Sequence, residues 1–197
     1  MTQAVFSALF FFAFVSSITP GPNNLMLMAS GANFGFRRTL PHMLGVGLGF
    51  TFMILMIGLG IAQIFEIYPA SKTVLKIVSV AYLLYLAWKI ATAAPLEKTS
   101  DKSSPFSFLQ ACLFQWVNPK AWSMALSSIG AYAPSQDLNG ILWVALLFGA
   151  VNLPCISIWV IFGQQMKRLL TSQKRLRAFN ITMALLLVAS LYPVLFT

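Results

Sequence analysis

Two short stretches of this chain interrupt otherwise apolar sequence with residues that break helices. The first is Thr19-Pro20-Gly21-Pro22-Asn23-Asn24 and the second is Asn118-Pro119-Lys120. Pro20 lacks a backbone donor and disfavours the α conformation at Thr19. Gly21 can turn freely, and Pro22 suits the first position of a new helix, where its missing N–H costs nothing. The first helix is therefore expected to stop near Ile18 and restart at Pro22. Such a break frees carbonyls near Ser16, Ser17 and Ile18, and amides at Asn23 and Asn24. The restarted helix offers its positive end to a carboxylate. The freed carbonyls suit an ammonium. One broken helix thus provides partners for both ends of a zwitterionic amino acid. Ser17, Thr19, Pro20, Gly21, Pro22, Asn23 and Asn24 are its candidate substrate-binding residues.

The second stretch repeats this less completely, and adds Asn118, Pro119 and Lys120 to the candidates. Lys120 is the one ionisable group deep in an apolar segment, where a cation is costly and usually functional. It has two readings. It faces the cavity and attracts a substrate carboxylate, or it snorkels or bonds a freed carbonyl of the opposite break. Asn152, beside Pro154, and Gln115 read either as ligands or as interhelical hydrogen bonds, and Asn152 joins the candidate set. Two groups could carry a coupled proton, Lys120 and His42. His42 is the only histidine, and its plain reading is a solvated residue at the entrance to a span.

These residues need apolar helices to hold them, and the composition requires a membrane. Of 197 residues, 58% are apolar and 9% charged, against about 45–50% and about 25% in soluble domains. Mean hydropathy is +0.80. This excludes a disordered chain, an ordinary water-soluble enzyme and a nucleic-acid binder with an extended basic face. Charge-free runs cover 1–36, 39–65, 103–119, 121–136, 138–166 and 178–197, several reaching the ~20 residues a spanning helix needs. Continuous apolar runs exclude a spanning β-barrel, which would alternate. Cys112 and Cys155 read as free buried thiols without metal-ligand spacing. No metal or other cofactor is expected. No cleaved signal peptide is expected either, because no base precedes the first apolar stretch.

The expected fold is all-α: an integral membrane protein with six transmembrane helices near 4–33, 40–65, 71–92, 106–130, 139–163 and 177–196. A five-span reading, omitting the third segment, competes. The chain forms one transporter domain, with a first repeat over 1–93, a polar loop over 94–105 and a second repeat over 106–197. Pro20 begins PGPNNLMLMASGA and Pro119 begins PKAWSMALSSIGA. Helices 1 and 4 are thus both broken at proline. Three spans per half make the two repeats inverted, as in many secondary transporters. Arg37, Arg38, Lys89, Lys98, Lys102, Lys167, Arg168, Lys174, Arg175 and Arg177 gather on one side, against Lys72 and Lys76 on the other. Lys and Arg mark the cytoplasmic side, so both termini are expected outside the cytoplasm. Gly45 and Gly49 form a GxxxG pattern, read as close packing within the monomer or at a homodimer interface. The five tryptophans read as interfacial or packing residues.

The sequence resembles the LysE/RhtB family of amino-acid exporters. The residues that carry the resemblance are Thr19-Pro20-Gly21-Pro22-Asn23, Gly35-Phe36-Arg37, Tyr82-Leu83 with Leu86 and Trp88-Lys89, and Asn118-Pro119-Lys120-Ala121. The stretch Leu86-Ala87-Trp88-Lys89-Ile90-Ala91-Thr92 resembles the cysteine/O-acetylserine branch. The resemblance implies export of amino acids or derivatives across a bacterial inner membrane, driven by the proton motive force. Glu66, Glu97, Asp101 and Asp137 all fall at span ends or in loops. No buried carboxylate is therefore expected to neutralise a basic side chain, which points to a small neutral substrate. The rival readings are an exporter of basic amino acids, a channel, or a helper subunit without active transport. A membrane enzyme is not expected, with one histidine, two isolated cysteines and no acid within a span.

Overall fold

The structure is a computed structural model that describes residues 2–93, 104–133 and 137–192. The polar loop with Glu97, Lys98, Asp101 and Lys102 lies outside the described residues. Every described element is helical: α1 Gln3–Ile18, α2 Pro22–Phe34, α3 Phe36–Gly58, a 3-10 turn Ile61–Gln63, α4 Ile64–Ile67, α5 Ala70–Ala91, α6 Phe108–Gln115, α7 Pro119–Tyr132, α8 Leu138–Lys167 and α9 Gln173–Ala189.

Three of these helices, α3, α5 and α8, are long and apolar enough to cross a membrane. The α1–α2 pair, bent by 53° at its break, makes up to four. The helices α6, α7 and α9 have 8, 14 and 17 residues. Each alone is short of the ~20 residues that span hydrocarbon.

Local chemistry sets the helix ends. Thr19 is extended (φ −66°, ψ 146°) before Pro20, and Pro22 takes the first position of α2. Only Gly35, with φ 81°, separates α2 from α3. Nothing lies within 4 Å of a Cβ built there, so backbone conformation is what favours glycine. Several span boundaries differ from the sequence reading, and the fifth span, expected to end at 163, runs on to Lys167. The second span was expected over 40–65, but α3 starts at Phe36 and ends at Gly58. Gly60 takes the left-handed conformation (φ 99°) and its N–H closes on Ile57 O at 3.0 Å, which ends the helix. The last helix starts at Gln173, capped by the Ser172 hydroxyl. Arg37, Arg38, Lys174 and Arg175 therefore lie in the first turns of α3 and α9 and not in loops. The long α8 runs through Pro154 without ending.

The helices α1 and α2 pack on α8, α6 and α7 pack on α3, α3 packs on α8, and α5 packs on α9. In lipid, close packing rather than apolar burial holds helices together, so small residues mark the contacts. A Cβ on Gly31 of α2 would strike the Val160 carbonyl of α8, and one on Gly163 of α8 would strike the Met28 carbonyl of α2. The GxxxG pair belongs to contacts inside the monomer. A Cβ on Gly45 would strike the Phe108 carbonyl, and one on Gly49 would lie 2.7 Å from Cys112 Cα. Phe50, Phe148 and Phe12 fill the core beside the breaks, with Phe50 and Phe148 at 5.2 Å between ring centres. The two cysteines are free thiols. Cys155 is buried and Cys112 donates to Gly45 O at 3.3 Å.

Candidate functional site: two facing helix breaks

The break between α1 and α2 leaves a run of carbonyls without helical partners, and buried backbone groups must find others. Side chains supply most of them. The Thr19 hydroxyl donates to Ser16 O at 3.1 Å. Asn24 Nδ2 donates to Ser17 O and Thr19 O, both at 2.8 Å. Trp159 Nε1 on α8 donates to Ile18 O at 3.1 Å. Lys120 Nζ donates to Thr19 O at 2.8 Å, Thr19 Oγ1 at 2.9 Å and Pro20 O at 3.2 Å. An ammonium has three donors, and Lys120 has three oxygens in reach. Of its two sequence readings, the structure shows the bond to the opposite break.

The second break ends α6 at Gln115 and restarts at Pro119. Asn118 caps the new helix, its side chain accepting from Lys120 N at 3.1 Å. Gln115 makes the interhelical hydrogen bond that was one of its two readings. It forms a reciprocal amide pair with Asn23, at 2.8 Å and 3.2 Å. The breaks are thus joined twice, through Lys120 and through this pair. Gly21 is extended, not left-handed. Its lack of a side chain matters for space, since a Cβ there would lie 2.6 Å from Lys120 Cδ.

Between the breaks lies a small cavity of about 20 Å³, enough for a water or two. Ser17, Gly21, Asn23, Asn24, Asn118, Lys120 and Asn152 line it, with Phe50, Met124 and Ile156 as its apolar wall. Ser17 is 3% exposed and its Oγ has no hydrogen-bond partner. The N-terminal end of α2 has no side-chain cap. On the far side of Lys120 a wider vestibule of about 890 Å³ opens, lined by Pro20, Pro22 and Pro119 on one wall and by Lys72, Lys76 and Ser79 of α5 on another. No carboxylate lines either cavity among the described residues. Glu66 is exposed, and Asp137 caps α8 by accepting from Gly140 N at 2.9 Å.

The structure therefore gathers Ser17 through Asn24, Asn118 through Lys120, and Asn152 around one centre. His42 stands apart and lines neither cavity. It is also not the solvated histidine expected at a span entrance. Since α3 begins at Phe36, the ring lies a full turn inside a helix, 2% exposed and 5.3 Å from the Phe106 ring. Neither ring nitrogen has a hydrogen-bond partner. Sequence reasoning missed Trp159 as a partner of the break. The usable signal was that a tryptophan inside a span has one N–H that needs an acceptor.

A helical membrane protein whose two broken helices meet around a polar centre has the make-up of a transporter rather than an enzyme. The chain belongs to the LysE type translocator family, whose model matches residues 14–190. It is 30% identical to the cysteine/O-acetylserine efflux protein of Escherichia coli strain K12, over 95% of this chain and 96% of that protein. The same figures hold for the cysteine/O-acetylserine efflux protein of Shigella sonnei. No solved structure matches. Family and apolar helices together fit a multi-pass protein of a bacterial inner membrane that exports amino acids.

Proposed function

We propose that this protein is a secondary active exporter of small neutral amino acids or their derivatives, driven by the proton motive force. The observation that carries the reading is the polar centre between the breaks. The Thr19 and Pro20 carbonyls suit the substrate's ammonium. The uncapped end of α2 and the unpartnered Ser17 hydroxyl suit its carboxylate. Lys120, which holds those carbonyls here, lines the same centre. Charge supports a neutral side chain, because Lys72, Lys76 and Lys120 line the vestibule and no acid among the described residues lines it to receive a basic one. The names of the similar efflux proteins point to cysteine or O-acetylserine as first candidates.

The reading includes six spans, with α1–α2 and α6–α7 each forming one broken span and α9 the last. An inverted repeat is supported by the strongest helix contacts, although α2 also packs on α5 and α9 without an equally extensive contact from α7. The first broken span packs on α8, and the second packs on its counterpart α3. With the basic ends of α3 and α9 in the cytoplasm, both termini and the vestibule beside Lys72 face outward. His42 stays a candidate for proton movement separate from this centre.

Counterflow into proteoliposomes tests the function, using cysteine, O-acetylserine, leucine and lysine with and without an imposed pH gradient. Exchange of the small neutral compounds, accelerated by the gradient, is expected. Preferred exchange of lysine would reject the charge argument, and passive flux that saturates with no substrate would favour a channel.

A further inference from the structure

The carbonyls proposed to receive the substrate's ammonium are already filled in this structure, together with the Thr19 hydroxyl. Lys120 Nζ sits on Thr19 O, Thr19 Oγ1 and Pro20 O at 2.8, 2.9 and 3.2 Å. All three oxygens are uncharged. They can satisfy one ammonium with its three donors, and a second cation in the same place would find neither acceptors nor countercharge. The central cavity behind them, about 20 Å³, has room for water but not for an amino acid. Substrate therefore cannot bind here by adding to the site. It has to replace what is in it.

We infer that the Lys120 ammonium and the ammonium of the exported amino acid are alternative occupants of this single three-oxygen site, and that their exchange is where proton and substrate movements are coupled. The inference rests on the function proposed above and assigns that function a mechanism. To leave the oxygens, Lys120 gives up one proton to water and becomes a neutral amine. The vacated oxygens then accept the substrate's ammonium, and its carboxylate turns to the α2 end and Ser17. On the outer side the reverse happens. A proton from the outer water returns to the amine, and the restored ammonium takes the oxygens and displaces the amino acid. One proton enters for each zwitterion that leaves, so one positive charge moves inward per cycle.

The surroundings of Lys120 fit such an exchange. The walls from α1, α2, α3 and α8 bring hydroxyl, amide and apolar groups, while α5 brings Lys72 and Lys76. No acid among the lining residues is placed to hold the Lys120 charge in position, so these hydrogen bonds are what retain it. Gly21 leaves the space that the stem occupies, as a Cβ there would lie 2.6 Å from Lys120 Cδ.

Calorimetric titration of the full chain in lipid nanodiscs with O-acetylserine decides the matter, below neutral pH where the amine of the ligand keeps its proton. Repeating the titration in buffers of different ionisation enthalpy counts protons. One proton released per ligand bound is expected, with the dissociation constant rising about tenfold for each unit of acidification. Lys120→Gln should release none and bind with little pH dependence. Lys120→Arg cannot give up its proton and should bind at least tenfold more weakly than wild type. Binding without proton release in wild type would overturn the inference, as would one proton released from Lys120→Gln or gradient-driven accumulation by Lys120→Arg. If Lys120→Gln does not fold, the wild-type proton count alone decides. No binding of any small neutral amino acid, including cysteine, would instead reject the proposed function, and the inference with it.

Discussion

Lys120 holds Thr19 by two atoms at once, the backbone carbonyl at 2.8 Å and the hydroxyl at 2.9 Å, across 101 positions of sequence. The same hydroxyl donates to Ser16 O, so Thr19 links the last turn of α1 to a lysine from the other half of the chain. The two breaks therefore form one structural unit. Moving either helix segment disturbs the partners of the other.

Gly21→Ala tests the space at this link. The new Cβ would lie 2.6 Å from Lys120 Cδ, so the lysine stem must shift. Gradient-driven export should fall several-fold while membrane insertion persists. Wild-type export rates from Gly21→Ala would show that the position of Lys120 does not matter.

The amide pair Asn23–Gln115 should be energetically coupled. Hydrogen bonds between helices in membranes contribute about 0.6 kcal/mol on average and up to about 2. A double-mutant cycle with Asn23→Ala and Gln115→Ala, read by unfolding in detergent, is expected to give a coupling in that range. Strict additivity would mean that the pair does not hold the breaks together.

Trp159→Phe keeps an aromatic ring and removes the N–H that meets Ile18 O at 3.1 Å. The carbonyl is then left without this partner, at a cost of about 1–2 kcal/mol. Thermal unfolding should show the loss. A stability unchanged from wild type would mean that water or another side chain replaces the indole.

Ser17→Ala separates stability from transport. The hydroxyl is buried and has no partner, so its removal should change stability by less than about 0.5 kcal/mol. Substrate should nevertheless bind more weakly, seen as a raised KM in counterflow. A large loss of stability with an unchanged KM would place Ser17 in the structure and outside the site.

The reciprocal contact between α2 and α8 leaves no room for a methyl group. Gly31→Ala and Gly163→Ala each press a Cβ against a carbonyl of the other helix, and overpacking of this kind costs about 1–3 kcal/mol. Both variants should unfold at lower temperature. If both melt like wild type, the two helices are not in direct contact.

The membrane class, the placement of both breaks and the residues around them are legible in the sequence because their causes are local. A proline lacks its donor and restricts its neighbour wherever it stands, so α1 ends at Ile18 and α2 and α7 begin at Pro22 and Pro119. The end of the second span at 58 rather than 65 was less legible, since it depends on Gly60 taking a left-handed conformation that its neighbours allow but do not require. Partnership was not legible at all. Residues 101, 141 and 92 positions apart meet as Lys120 with Thr19, Trp159 with Ile18 and Gln115 with Asn23. His42, which reads as solvated, is buried against Phe106. The sequence by itself determined where the helices stop and which backbone groups are set free. The tertiary structure decided which side chains satisfy those groups, because that depends on which faces of distant helices pack together.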